Sequence, residues 1–263
     1  MENSLASKDF RNSPIVSSPE AFPWPWTVLA IVGAAVLLFV IIIAGAAQFY
    51  MAHGQSIAVL NAALTKTSFG VVLQGVAELV VIAYLLVVVP SLARTNLAGL
   101  GFRSPSPRTL AYIGGAIAVM FVAVTALSSL LTTVLHAKTP EEAVQIFLSL
   151  HTNVEKAGFA FFAGIVAPIW EEFVFRIFLF NAMYKWWGFW PAAIVSSVLF
   201  GAAHGQPGGV ATNVAIIVPL AAGGFVLCWV YAVTRNAWSS ILTHGIFNLI
   251  SLSLLSVAPQ LAK

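Results

Sequence analysis

Long apolar runs follow one another along most of this chain, and they limit its fold more than any other feature. A helix of about 20 apolar residues matches the hydrocarbon core of a membrane. Seven such runs can be traced, at residues 26–48, 69–89, 110–135, 157–183, 190–206, 209–233 and 237–257. Charged residues make up 8% of the chain, against about 25% in a soluble domain, so a water-soluble enzyme is excluded. Because the backbone inside lipid must satisfy its own hydrogen bonds, the runs predict an all-α polytopic transmembrane helical bundle.

Breaks rich in proline and glycine separate these runs and predict the organisation of the chain. We expect a flexible amino-terminal tail at 1–25, three transmembrane helices with their loops at 26–156, a helical core at 157–257 and a short tail at 258–263. No loop is long enough to hold a domain outside the membrane. Any chemistry is therefore expected within the helices or at their ends.

The basic residues outside the fourth run predict the orientation of the chain. Seven share the side of the amino terminus and four lie on the other side, namely Lys8, Arg11, Arg94, Arg103, Arg108, Lys185 and Arg235 against Lys66, Lys138, Lys156 and Lys263. Since cytoplasmic loops carry the excess of Lys and Arg, we expect a multi-pass plasma-membrane protein with a cytoplasmic amino terminus. These charges form no basic stripe, so the lipid bilayer is an expected partner and nucleic acid is not.

Ionisable residues in the fourth run need a reason to be there. Glu171, Glu172 and Arg176 lie close together, and each ion costs about 2.5–3.5 kcal/mol at the centre of a membrane helix. We therefore expect them to face the protein interior. The i,i+4 spacing of Glu172 and Arg176 favours an ion pair on one helix face, which leaves Glu171 as a candidate general base. Pro168 precedes the acids and predicts a kink there.

Two histidines and an amide lie in later runs. His204 follows Phe200 at the end of the fifth run, and His244 precedes Asn248 by one turn in the seventh. The acids and the arginine can equally be explained as a structural polar knot, and an isolated intramembrane histidine is more often a packing residue. Together, on three helices, these groups could supply a base, a pair that holds water or a metal, and a donor for a developing oxyanion.

Helix lengths predict a common membrane depth for only two of the three candidate residues Glu171, His204 and His244. At 1.5 Å per residue, Glu171 is expected about 9 Å and His244 about 10 Å from the cytoplasmic side, but His204 about 21 Å. We therefore expect the fifth helix either to be tilted or to begin outside the lipid.

Three motifs on successive runs resemble the CPBP family, the type II CAAX-prenyl-protease and bacteriocin-processing intramembrane proteases, also called Abi proteins. The motifs are Glu-Glu-x-x-x-Arg at 171–176, Phe-x-x-x-His at 200–204 and His-x-x-x-Asn at 244–248. The resemblance covers residues from about 160 to 255 and implies an intramembrane endopeptidase that acts on a membrane-associated or lipidated peptide or protein. Two features depart from the family: Ile177 stands where a glycine is common, and members often have eight spans rather than seven.

The resemblance also implies a role for each matched residue. Glu171 would be the general base that activates water, with Glu172 and Arg176 orienting it, and His204 would hold that water or a metal. Two histidines and a glutamate suit a catalytic zinc site, but they suit glutamate-activated water equally well. If a metal is used, its expected ligands are Glu171, His204 and His244.

The remaining matched residues would act on the substrate. His244 and Asn248 would bind and polarise the scissile carbonyl. Phe200 and Phe175 are weaker candidates for contact with the substrate.

Two other functions compete with proteolysis. The first is a non-catalytic membrane scaffold of the same fold that binds a partner membrane enzyme or sensor. The second is a proton-coupled transporter, since buried acids and histidines also form relays. The crowding of ionisable residues in the second half disfavours the transporter, because transporters often carry inverted repeats.

The other ionisable residues receive structural interpretations. Glu78 in the second run is interpreted as a contact between helices. Glu141, Glu142 and Glu155 are interpreted as solvated residues of the third loop.

Overall fold

Helices provide all the regular structure in the described part of the chain. The computed structural model describes residues 33, 40, 68–92, 96–137, 140–206 and 209–258, and none of them lies in a strand. The predicted tail at 1–25 is outside the described residues, and of the predicted run 26–48 only residues 33 and 40 fall within them. The all-α prediction is confirmed for the described part.

Seven helices can be followed in the described residues from 68 onward. They are α1 (Ser68–Leu92), α2 (Pro107–Leu135), α3 (Glu142–Ser149), the composite helix α4, α5 (Phe189–Ala202), α6 (Val210–Thr234) and α7 (Ala237–Val257). Four of them, α2, α4, α6 and α7, are long and apolar enough to cross a membrane, whereas the apolar parts of α1 and α5 are shorter. The number of spans therefore stays a prediction.

The helix α4 is longer than the predicted fourth run and is not α-helical throughout. Its consecutive segments are Asn153–Phe161, the π-helical Phe162–Val166, Ala167–Glu172, the π-helical Phe173–Phe180 and Asn181–Trp187. The helix begins early because Thr152 and Glu155 form a capping box, in which each side chain bonds the backbone N–H of the other. Glu155 therefore lies in the first turn of α4 rather than in a loop.

A tight turn at Gly188 sets α4 and α5 side by side in opposite directions. Gly188 has a φ of 74°, a conformation that glycine adopts without steric cost. Glu171 lies about 25 Å before this turn and His204 about 24 Å after it at 1.5 Å per residue. The two residues therefore lie at similar distances from the turn, and the tilt of the fifth helix or its start outside the lipid stays a prediction.

The helix α5 ends sooner than the sequence predicts. It stops at Ala202 instead of residue 206, because the chain tightens into two i→i−3 hydrogen bonds, from His204 N to Gly201 O and from Gly205 N to Ala202 O. His204 is thus held in the turn that follows α5.

The helix α6 lies at the centre of the described bundle and packs most extensively against α2 and α5. A cluster of apolar residues joins α6, α2 and α7, with the rings of Phe121 and Phe247 at 4.8 Å. On the other side, α1 packs against α4 and buries Glu78, which is 4% exposed. That burial agrees with the interpretation of Glu78 as a contact between helices.

The loops meet in pairs at opposite ends of the bundle. At one end the α1–α2 loop binds the start of α7, through Ala237 N to Gly101 O at 2.8 Å and Asn236 Nδ2 to Arg103 O at 2.9 Å. At the other end Gln206 Nε2 in the α5–α6 loop donates to Pro140 O at 3.0 Å. This pairing is the one required if the helices after residue 107 alternate in direction.

Candidate active site

The Glu172–Arg176 ion pair lies at the centre of the candidate site. Arg176 Nη1 is 3.0 Å from Glu172 Oε1, and both side chains are fully buried, one turn apart on α4. The guanidinium also donates from Nη2 to Gly224 O of α6 at 3.2 Å and lies 4.3 Å from the centre of the Phe200 ring. The structure thus contains the pair that the spacing predicts, and it links α4 with α5 and α6.

His244 of α7 connects the two glutamates. Its Nδ1 lies 3.0 Å from Glu172 Oε1, the oxygen that also faces Arg176, and its Nε2 lies 3.8 Å from Glu171 Oε2. Glu171 Oε2 is buried but makes no hydrogen bond. The Glu171 side chain is 13% exposed, whereas that of Glu172 is fully buried. Glu172 Oε2 is likewise buried without a hydrogen bond, but Glu172 Oε1 faces both Arg176 and His244. Glu171 is therefore the acid that is both more exposed and unpaired with Arg176.

The hydrogen bonds of the histidines define which ring nitrogen carries a proton. His204 Nδ1 lies 2.8 Å from Phe200 O, and since a carbonyl oxygen only accepts, this nitrogen must donate. His244 Nδ1 likewise donates to the Glu172 carboxylate. In the neutral form of each ring, Nε2 therefore presents a lone pair and can accept a proton or a hydrogen bond.

The ring of Phe200 packs against both histidines. Its ring centre lies 4.9 Å from that of His204 and 5.6 Å from that of His244. Phe200 is 1% exposed and Phe175 is 8% exposed, and their rings meet edge to face at 5.3 Å. Both aromatic rings are thus packing residues that position the site in this structure, and their predicted contact with substrate stays a prediction.

Asn248 uses one of its amide hydrogens on the backbone of α4. Its Nδ2 donates to Ala163 O at 2.8 Å, within the π-helical segment. There Ala167 N bonds Phe162 O five residues back, so the next donor in this register would be residue 168, which is a proline without an N–H. The break expected at Pro168 therefore leaves the carbonyl oxygen of Ala163 without a donor in its own helix, and Asn248 of α7 supplies one. The second amide hydrogen of Asn248 is left for another acceptor.

Two glycines let α7 approach α4 closely enough for these contacts. A Cβ on Gly245, the neighbour of His244, would collide with the carbonyl oxygen of Gly164, and one on Gly164 would collide with Leu249. Small residues at helix contacts in membranes allow this close approach. The position of His244 beside the glutamates thus depends on residues that carry no chemistry.

Glu141 is a member of the site that the sequence interpretation missed. It was interpreted as a solvated loop residue, but it is half-buried, and the groups that act electrostatically on its carboxyl include His204, Glu171 and His244. Burial raises the pKa of Glu141, and the neighbouring His204 opposes that shift. Its position depends on the Gln206–Pro140 hydrogen bond between two loops, which no motif in the sequence signals.

The described side chains do not form a metal centre as they stand. No group of three His, Cys, Asp or Glu side chains in the described part of the chain is arranged to hold a metal ion. The predicted ligands Glu171, His204 and His244 are near one another but are not gathered into such a group. A metal ion at these residues stays a prediction.

The comparisons with known proteins fall on this same region. A family model described as "Type II CAAX prenyl endopeptidase Rce1-like" matches residues 153–250, which include every residue of the three motifs. A protein of Bacillus subtilis (strain 168), "Putative membrane peptidase YdiL", is 34% identical over 86 residues, covering 33% of this chain and 32% of that protein. The match thus spans about a third of the length of the curated relative. No solved structure matches. Residues 153–250 are thus similar to the type II CAAX prenyl endopeptidase family model and to a membrane peptidase, in agreement with the resemblance to the CPBP family that the three motifs carry.

Proposed function

We propose that this protein is an intramembrane endopeptidase, which hydrolyses a peptide bond of a membrane-associated or lipidated substrate with a glutamate-activated water. The observation that carries the proposal is the buried constellation in which His244 touches both glutamates while Arg176 neutralises only Glu172. Glu171 is also the more accessible acid, with a side chain 13% exposed where that of Glu172 is fully buried.

The proposed first step is attack by water. Glu171 takes a proton from a water that it shares with Nε2 of His204, and the water oxygen forms a bond to the scissile carbonyl carbon. General-base assistance of this kind contributes on the order of 10²–10⁴ in rate. The carbonyl oxygen becomes an oxyanion, which the free amide hydrogen of Asn248 and the Nε2 proton of the His244 imidazolium would stabilise.

The proposed second step breaks the bond. Glu171 passes its proton to the amide nitrogen, the C–N bond cleaves, and the products are a carboxylic acid and an amine. Glu172 and Arg176 remain an ion pair throughout, and Glu172 keeps the His244 ring oriented through Nδ1.

The apolar surroundings suit a substrate that reaches the site from the membrane. The family description names prenylated CAAX peptides for its own members, and we extend to this chain only the broader class of membrane-associated or lipidated peptides. A zinc ion remains a separate prediction. Chelation by 1,10-phenanthroline tests it, since a mechanism without metal predicts an unchanged cleavage rate, and loss restored by Zn²⁺ would require a metal.

Reconstitution of the purified protein in liposomes tests the proposal. Farnesylated CAAX peptides and membrane-anchored peptides serve as substrates, and mass spectrometry detects the products. Glu171→Gln, His204→Ala and His244→Ala should each lower the rate by on the order of 10²-fold or more. Glu142→Gln and His151→Ala, which change exposed residues, should match the parent.

The same experiment separates the protease from the non-catalytic scaffold. If Glu171→Gln cleaves as fast as the parent, the proposed mechanism is wrong. If no peptide is cleaved and a Glu171→Gln protein restores the phenotype of a deletion strain, the scaffold is the better account.

A further inference from the structure

The segment Pro140–Glu141 lies beside the candidate site, although it is outside the three motifs, and we call it, together with Gln206, the site entrance. Pro140 O accepts hydrogen bonds from Gln206 Nε2 at 3.0 Å and from Gln145 Nε2 at 2.7 Å. Gln206 is in turn fixed by Asn213, whose Oδ1 accepts from Gln206 N and whose Nδ2 donates to Gln206 O, both at 3.0 Å. A hydrogen bond therefore joins this segment to Gln206, which follows His204 by two residues in the sequence.

Helix capping does not explain the carboxylate of Glu141. Glu141 is the N-cap residue of α3, but its side chain makes no capping hydrogen bond. The groups that act most strongly on the carboxyl are His204, Glu171, His244 and Glu142, two histidines and two acids. Even with His244 protonated, as in the proposed mechanism, the carboxylates of Glu171 and Glu142 leave the charge around Glu141 negative, because Arg176 is paired with Glu172.

Gln206 adds a buried acceptor without a donor to the site entrance. Gln206 is 8% exposed, and its Oε1 is buried without a hydrogen bond. Since Oε1 and Nε2 belong to one amide, this oxygen lies beside the Pro140 carbonyl that Nε2 binds. Together with Glu171 Oε2, the entrance therefore presents acceptors and negative charge whose donors are missing.

We infer that Glu141, with Gln206 beside it, selects substrates that carry a positive charge next to the scissile bond. This inference rests on the proposed proteolytic function. The chemical class is a peptide with a Lys or Arg side chain near the cleavage site, because an ammonium or guanidinium supplies both the charge and the hydrogen-bond donors that the entrance lacks. Burial raises the pKa of Glu141 in the free protein, which fits a carboxylate without a permanent cation beside it.

The test compares membrane-anchored peptides that differ only in charge. One short segment follows a constant apolar anchor, and each position in turn is Lys, Gln or Glu. Cleavage is followed for the parent, Glu141→Gln, Glu141→Lys and Glu142→Gln, all as full chains in liposomes. The parent should cleave the Lys peptide about tenfold better than the Gln peptide at the preferred position, through kcat/KM.

The variants make the outcome specific to Glu141. Glu141→Gln should bring the Lys-to-Gln ratio close to one while it still cleaves the Gln peptide, Glu141→Lys should favour the Glu peptide, and Glu142→Gln should keep the parental ratio. Cleavage that requires Glu171 but shows the same ratio in the parent and Glu141→Gln overturns this inference and leaves the proposed function standing. Absence of cleavage of every peptide by the parent overturns both.

Discussion

At the scale of single residues, one carboxylate oxygen organises the site. Glu172 Oε1 faces both Arg176 Nη1 and His244 Nδ1 at 3.0 Å. Removing one member of a buried ion pair leaves the other charge without compensation, whereas removing both leaves an uncharged interior. The pair therefore predicts different effects for single and double substitutions.

Arg176→Met should lower the free energy of unfolding by about 3–5 kcal/mol, because it leaves Glu172 charged and buried. The double variant Glu172→Gln with Arg176→Met should recover most of that stability yet cleave slowly, since His244 loses its anionic partner. Denaturant or thermal unfolding in detergent measures the first effect and the liposome assay the second. A single variant as stable as the parent would contradict the role given to the pair.

The raised pKa of Glu141 makes a second prediction, about pH. Between the ordinary value of 4.5 and the raised value, the folded protein holds a proton that the unfolded chain has released, so stability falls as pH rises. Glu141→Gln removes this dependence. The melting temperature of the variant should equal that of the parent near pH 4 and exceed it at pH 7. A difference in melting temperature that stays constant between these pH values would show that the pKa of Glu141 is not raised.

The sequence identified the residues with reactive side chains but not the residues that position them. Intramembrane charge alone singled out Glu171, Glu172 and Arg176, and the motif order added His204, His244 and Asn248. Glu141 escaped because acids in short loops are usually solvated, and its burial arises from contact between two loops distant in sequence.

At the scale of elements, α4 departs from regular helix on both sides of the two glutamates. The π-helical segments Phe162–Val166 and Phe173–Phe180 flank Ala167–Glu172, and π-helical turns often occur at functional sites. The free carbonyl of Ala163 gives α7 an anchor through Asn248. The proline signalled a break, but the sequence did not show that another helix would fill it.

Gly245→Ala tests whether helix spacing controls the site. The added Cβ would meet the Gly164 backbone, so α7 must move away from α4 and His244 must separate from Glu172. We expect a lower melting temperature and at least a tenfold loss of cleavage, on the scale of a 1.4 kcal/mol change, with every motif residue intact.

Gly158→Ala is the matched control for this substitution. It also lies in a helix, but nothing stands within 4 Å of its added Cβ. Since Ala is favoured over Gly in helices by about 1 kcal/mol, this variant should be at least as stable as the parent and equally active. Equal behaviour of the two variants would contradict the role of the Gly164–Gly245 contact.

The sequence predicted the ends of the helices less accurately than their centres. Hydropathy placed the centres of the described runs well, since burial in lipid selects for length and apolarity. It could not separate helix from turn at 203–206, nor detect the capping box that starts α4 at Asn153.

At the scale of the whole molecule, the paired loops fix which ends lie together. The α1–α2 loop meets the start of α7, and the segment before α3 meets the α5–α6 loop. The excess of basic residues on the first of these ends predicts that it faces the cytoplasm. Glu141 and Gln206 would then lie toward the opposite face.

Cysteine labelling tests this orientation. With Cys228, which is buried, replaced by Ala, single cysteines are introduced at the exposed residues Ser104 and His151. A membrane-impermeant maleimide should label His151→Cys in intact cells and Ser104→Cys only in inverted vesicles. The reverse pattern would place the amino terminus and the basic end outside.

Comparative peptidomics of membranes most directly tests whether the convergence of Glu171, His204 and His244 is catalytic. Cells that carry the parent protein are compared with cells that carry Glu171→Gln at equal abundance. We predict a set of peptide fragments that occurs only with the parent, together with longer precursors that accumulate in the variant. Indistinguishable peptidomes in the two strains would contradict the proteolytic account.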